Sequence, residues 1–131
     1  MRLSPPARLV LISAVALVAA GCSKSDRPPL GVVTGSVTLD GQPLADVLVL
    51  FTPDSAGRTS RAVTGPDGHY ELAYLRDIMG ANLGRHVVRI TTVTDEKRGK
   101  ERLPKRYHAA TTLEAVVEPG PNTIDFALTS K

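Results

Sequence analysis

The sequence has no tryptophan, only two phenylalanines and three tyrosines among its 131 residues. This removes most of the flat side chains on which sugars and bases stack, and it weighs against carbohydrate and nucleic-acid ligands. Cys22 is the single cysteine, so no disulfide can form within the chain and stability must come from packing and turns. The three histidines, His69, His86 and His108, are isolated, and neither HExxH nor HxxE occurs. His69 has Glu71 two residues on, but two ligands do not make a site where zinc wants three or four. His86 is expected on an inward strand face with one hydrogen bond, and His108 in solvent. No serine sits in a GxSxG turn that would expose a nucleophile. Asp40-Gly41 and Asp67-Gly68 lack the regularly spaced carboxylates of a calcium loop and read as turns. The residues therefore assign no catalytic group, no metal and no cofactor. No apolar run reaches the roughly 20 residues a membrane-crossing helix needs.

What is present begins with an N-terminal segment of signal type. Arg2 and Arg8 precede the apolar stretch Leu9 to Ala20, and Ala20-Gly21 places small side chains immediately before Cys22. The segment resembles a bacterial lipoprotein signal, in which the cysteine thiol takes a diacylglycerol and becomes the first mature residue. Ala19 stands where that motif usually has leucine. The resemblance implies cleavage of residues 1–21, a membrane partner engaged through lipid on Cys22, and a place on the surface of the cell envelope. Two or three acyl chains would hold such a protein almost permanently, whereas one binds only marginally.

The net charge of +3 depends on the signal segment. Without Arg2 and Arg8, 14 basic side chains face 13 acidic ones, so the high pI is no argument for nucleic acid. Residues 22–31 are short, polar and proline-bearing, and read as an extended tether.

From Val32 onward, short β-branched runs are cut by turn dipeptides, and no window sustains a helical period. The expected strands are Val33 to Leu39, Asp46 to Thr52, Ser60 to Val63, His69 to Leu75, Arg85 to Val93, Thr112 to Val117 and Thr123 to Leu128. Asp40-Gly41 supplies the positive φ of a tight turn, Gly65 to Gly68 and Pro119 to Asn122 supply two more, and residues 76–84 read as a loop or single helical turn. In Asp46 to Thr52 both faces are apolar, as in a central strand. Phe51 and Phe126 are expected to anchor the core. The pattern predicts an all-β, seven-stranded Greek-key sandwich over residues 32–131.

The series Val37-x-Leu39-Asp40-Gly41-x-Pro43-Leu44, followed by Val47-x-Val49-x-Phe51-x-Pro53, resembles the opening of carboxypeptidase regulatory-like domains, which share the transthyretin-like sandwich. Thr64-x-x-Asp67-Gly68-x-Tyr70-x-Leu72 and Gly84-x-His86-x-Val88-x-Ile90 continue the likeness. Leu103-Pro104-x-x-Tyr107 and Val117-x-x-Gly120-x-Asn122-x-x-Asp125-Phe126-x-Leu128 are similar to a group of small lipoproteins of planctomycete-type bacteria. In that wider family the domain serves as a folding, spacing or adhesion module, which implies a structural or adhesive, non-catalytic role. Related sandwiches also bind starch, so a carbohydrate- or small-ligand-binding lipoprotein is the alternative. The transthyretin-like hydrolase of 5-hydroxyisourate ends in Tyr-Arg-Gly-Ser, whereas Phe126 to Lys131 here contain neither Arg nor Gly.

One local charge excess remains. Asp95 to Arg106 carries Lys97, Arg98, Lys100, Arg102, Lys105 and Arg106 against three acids. It reads either as a solvated connection or as a contact surface for anionic headgroups, polysaccharide or an acidic protein patch, with all six cations free to be reversed without loss of folding.

Overall fold

The computed structural model describes residues 27–93 and 99–131. Alternating apolar and polar residues through Leu30–Leu39 (β1) bury Val33 and Val37 on one face, and the strand becomes the spine of a mixed sheet. Along one edge of β1 lie Ala81–Asn82 (β8), His69–Glu71 (β5) and Gln42–Pro43 (β2), all antiparallel. Gly120–Thr123 (β11) and Phe126–Leu128 (β12) run parallel to it along the other. The second sheet is antiparallel throughout, in the order Glu114–Val117 (β10), Gly84–Thr91 (β9), Leu48–Pro53 (β3), Ser60–Val63 (β4), Ala73–Leu75 (β6) and Ile78–Met79 (β7). One 3-10 turn, Lys105–Tyr107, is the sole helix among the described residues, and none there is long and apolar enough to cross a membrane. The protein is an all-β sandwich.

The seven expected strands recur within twelve strand segments among the described residues. β3 is central in its sheet, as its two apolar faces predict: Val49 and Phe51 are fully buried, Leu48 is buried beside Val63 and Thr91, and the half-buried Leu50 lies between Arg61 and Arg89. Four expectations require correction. Residues 76–84 hold two short strands, β7 and β8, rather than a loop or helical turn. Pro119 to Asn122 is not a plain turn, because β11 adds to β1 in parallel. The single strand expected over His69 to Leu75 divides at Leu72, so that β5 joins the first sheet and β6 the second. Local alternation cannot reveal such a change of sheet, since Tyr70 and Leu72 are buried at alternate positions up to the break while Ala73, Tyr74 and Leu75 are all half-buried beyond it. Finally, β1 begins at Leu30, within the expected tether.

Two backbone features define the first sheet. Asp40 (φ 51°) and Gly41 (φ 83°) adopt the positive φ values expected of the turn after β1. Gly35 provides a gap: a Cβ there would lie 1.8 Å from the Ile124 carbonyl oxygen. Tyr70, paired with Gly35 across one edge of β1, reaches over this gap and donates its hydroxyl to Ile124 O at 2.5 Å on the other side. Burial, followed by the charge of Asp125, pushes the phenol far above its ordinary pKa, so it remains a donor. Asp125 accepts Ser36 N at 2.9 Å, and Ile124 N donates to Thr34 O at 2.8 Å, bridging the step from β11 to β12.

Aromatic rings join the sheets. Phe51 meets Phe126 edge-on at 6.1 Å, and Tyr70 stacks on Phe126 at 6.3 Å. Such contacts add to the area term that already favours burying large side chains.

Tyr70→Phe is expected to cost about 1 to 3 kcal/mol by leaving Ile124 O unpaired. Phe126→Ala should cost about 3 to 5 kcal/mol through the cavity between the sheets. Gly35→Ala should exceed Tyr70→Phe, because its Cβ meets backbone. Urea midpoints compared at unchanged slope give the three values; a silent Gly35→Ala would contradict the packing of β1 on Ile124.

Candidate functional site

Three places outside the aromatic core carry polar chemistry: the described part of the charged loop, the buried His86, and a groove lined by arginines. Cys22, Lys97 and Arg98 lie outside the described residues.

The charged loop leaves β9 and returns through Leu103 and Tyr107, both buried in the core. Its base is closed by Glu101. One carboxylate oxygen accepts Thr92 Oγ1 at 2.6 Å, Thr92 N at 2.9 Å, and the Arg102 and Leu103 amides at 3.1 Å; the other accepts the Thr91 hydroxyl. Burial raises the Glu101 pKa, but these donors outweigh it and hold it down at about 2. Lys100, Arg102 and Lys105 are exposed on this platform.

Arg106 differs from the other cations. Its Nη2 donates to Thr129 O at 2.7 Å, Thr129 Oγ1 at 2.8 Å and Lys131 O at 2.9 Å, and its guanidinium stacks 4.7 Å from the Tyr107 ring centre. Tyr107 Oη accepts Thr129 N at 2.9 Å. Arg106 thus ties the charged loop to the residues that follow β12, a role the other described cations of the loop do not share.

The histidines separate by environment. His69 is exposed beside its turn. His108 is half-buried, and its Nε2 donates to Leu103 O at 3.0 Å, so it belongs to the loop rather than to solvent. His86 is fully buried against Phe51, 5.6 Å between ring centres, and its Nδ1 donates to Gly84 O at 3.0 Å. The neutral tautomer this fixes leaves Nε2 as an unpartnered acceptor, as are Ser60 Oγ and Asn82 Oδ1. Burial lowers the His86 pKa, against smaller opposing effects of Gly84 O and Asp54. Among the described residues no group of three or more His, Cys, Asp or Glu side chains could hold a metal ion.

The groove is one that sequence reasoning missed. Arg58 and Thr59 precede β4, Arg61 stands on β4 opposite Ala73, and Tyr74, Leu75 and Arg76 close β6. Together they line a groove of about 330 Å³. Its three arginines come from one strand and from the connections before β4 and after β6, so no short sequence window contains the set.

The two charged regions occupy opposite ends of the sandwich. Leu30 pairs with Asn82, and a Cβ on Gly57 would lie 3.0 Å from both Asn82 Oδ1 and Pro53 Cγ, which puts the loop bearing Arg58 at the end where the chain enters β1. At the far end Asp40 N donates to Leu128 O, Ser130 N donates to Asp40, and Tyr107 and Arg106 hold Thr129. β1 spans about 30 Å between them at roughly 3.3 Å per residue.

No protein-family model matches the chain, and no curated protein matches it. Among solved structures, it is similar to a DUF3823 family protein from Parabacteroides merdae, 18% identical, with a TM-score of 0.49. The match covers 79% of this chain and 48% of that one, so the chain spans about half the length of that protein.

Glu101→Ala is expected to cost about 1 to 2 kcal/mol, at the low end for bonds to a charged acceptor because the site is partly open to water. Hydrogen exchange at Thr92, Arg102 and Leu103 should accelerate, and unchanged protection there would sink the anchoring role. The Glu101 contribution is present above its ordinary value of 4.5 and is lost as pH falls towards about 2. His86 acts in a higher window. Its folded pKa lies below the ordinary 6.5, so its neutral form favours the fold above that value, and stability declines as pH drops below it towards the folded pKa. Melting temperatures followed from about pH 7 to about pH 5 should fall, and His86→Leu should flatten that slope.

Proposed function

We propose that the protein is a lipid-anchored envelope protein, held through acylated Cys22, whose non-catalytic sandwich serves a structural or adhesive role at the membrane surface. The observation that carries the contact part of this reading is the Glu101 anchor. Five hydrogen bonds from Thr91, Thr92, Arg102 and Leu103 fix the loop base, so Lys100, Arg102 and Lys105 are offered on a rigid support rather than on a floppy connection. Loops positioned by a rigid scaffold are where contact functions concentrate. Their place at the far end favours an envelope protein or polysaccharide over the headgroups of the anchoring bilayer. Screening confines exposed attraction to about 8 Å at physiological salt, well short of the length of β1. The two-sheet arrangement agrees with a carboxypeptidase regulatory-like or transthyretin-like relationship, which is part of the same proposal. A small-ligand-binding lipoprotein is the second reading, and the arginine-lined groove favours it.

Cys22→Ser should abolish acylation, read by intact mass of the membrane fraction. Wild-type protein recovered in soluble form without acyl mass would remove the anchor from this reading. Reversing Lys97, Arg98, Lys100, Arg102 and Lys105 to Glu, with Arg106 retained, should preserve the melting temperature within a degree or two and lower sedimentation with envelope fragments at low salt. Equal sedimentation of variant and wild type would leave the loop a plain connection and return the weight to a purely structural role.

A further inference from the structure

An open sheet ends in edge strands whose unpaired amides and carbonyls template a further strand unless something blunts them. Most edges of this sandwich are blunted. Pro43 interrupts β2 and Pro121 interrupts β11, the pairing of β6 with β7 slips between Ala73 and Leu75, and Tyr107 Oη takes the Thr129 amide beyond β12. β10 is different. Its residues stay in register with β9 from Glu114 to Val117, contain no proline, and form the end of their sheet. Val88 N donates to Leu113 O, so alternation turns the amides and carbonyls of Ala115 and Val117 towards β9 and those of Glu114 and Val116 away from it. At the next outward position the Asn122 side chain closes the edge, 3.0 Å from the Glu118 amide and 2.8 Å from its carbonyl.

The side chains along this edge have a pattern of their own. Val116 is 57% exposed, more than any other large apolar residue among those described, and exposed Glu114 and Glu118 stand on either side of it. Among the described residues neither carboxylate is engaged by a hydrogen bond or ion pair. The strand that β10 already pairs with carries Arg85, Val87 and Arg89 on one face, with Arg85 beside Val116 and Val87 beside Glu114. A basic-apolar-basic strand therefore matches β10 on its inner side.

We infer that the outer edge of β10 docks a partner protein, which adds an extended segment of the same basic-apolar-basic pattern as a seventh strand of this sheet. Backbone bonds to Glu114 and Val116 hold the segment, while cations opposite Glu114 and Glu118 and an apolar side chain opposite Val116 select it. A second copy of the chain fits poorly. The register that brings two Val116 side chains together sets Glu114 of one copy against Glu118 of the other, like charges directly opposed. Such a segment is the partner in the structural or adhesive role proposed above and rests on that role alone, without the acyl group or the loop cations.

The test uses the acylated full chain in neutral detergent micelles with two synthetic peptides, Thr-Lys-Thr-Val-Thr-Lys-Thr and Thr-Glu-Thr-Val-Thr-Glu-Thr. In the free chain, amide hydrogen exchange should be fast at Glu114 and Val116 and slow at Ala115 and Val117. The lysine peptide should slow Glu114 and Val116 several-fold at low salt, and the glutamate peptide should need about ten times the concentration for the same effect. Glu114→Lys with Glu118→Lys should reverse this preference. Val116→Pro removes an outward amide and no bond to β9, so it should abolish the protection at Glu114 with an unchanged melting temperature. Should the melting temperature fall, the charge reversal, which leaves the backbone intact, decides alone. Equal action of the two peptides, or no reversal by the lysine variants, overturns the inference. Slow exchange at Glu114 and Val116 before any peptide is added also overturns it: protection lost on dilution identifies a second copy, and protection that persists identifies another part of the same chain. The loop reversals read by sedimentation touch none of these residues, so failure of the contact role and failure of this edge are told apart.

Discussion

The fold depends on one crossing, where Tyr70 passes over Gly35 to reach the carbonyl of Ile124. β1 is flanked on both edges by segments too short to be stable alone: two or three residues in β8, β5 and β2, three or four in β11 and β12. Only because β1 is continuous for ten residues do these pieces become a sheet. The Tyr70 hydroxyl ties one edge to the other across the spine, and its ring lies on Phe126, which in turn meets Phe51 of the opposite sheet. A single side chain therefore links β5, β1, the β11–β12 step and the core, and a Cβ at Gly35 would deny it passage.

Continuity of β1 also gives the molecule two chemically different ends. At the entry end, the loop carrying Arg58 packs against Asn82, the partner of Leu30. At the far end, the C-terminal residues are held by Asp40 and Arg106, and the charged loop rests on Glu101. Local polarity is arranged accordingly: donors converge on carbonyls and a carboxylate at the far end, whereas Arg58, Arg61 and Arg76 line a groove at the entry end. Ser60 Oγ, Asn82 Oδ1 and His86 Nε2, on strands that reach this end, are buried without protein partners. That burial costs stability, since a buried polar atom left unpaired retains its desolvation penalty.

Much of the strand order was legible in the chain. Alternation located β1, β3, β4 and β9, and Asp40-Gly41 adopted the backbone its chemistry demands. Phe51 and Phe126 entered the core as the two largest apolar side chains had to. The charged loop was visible as a composition, yet Glu101 was hidden among its neighbours, because a carboxylate that gathers threonine hydroxyls and backbone amides looks the same in sequence as one in solvent. The contacts of Arg106 with Thr129 and Lys131 were hidden for the same reason.

Sequence by itself determined what period and composition can encode: an all-β chain, the Asp40-Gly41 and Gly65 to Gly68 turns, the aromatic anchors and the lone cysteine after an apolar segment. Tertiary structure alone decided which sheet each half of His69 to Leu75 joins, that the last strands add to the first in parallel, and which cations are engaged. It also gathered Arg58, Arg61 and Arg76 into one groove at the entry end. The physical reason is range. Alternation and turn propensity act over a few residues, whereas pairing, burial and charge clustering join residues up to about ninety positions apart, and such partners exist only once β1 has brought them together.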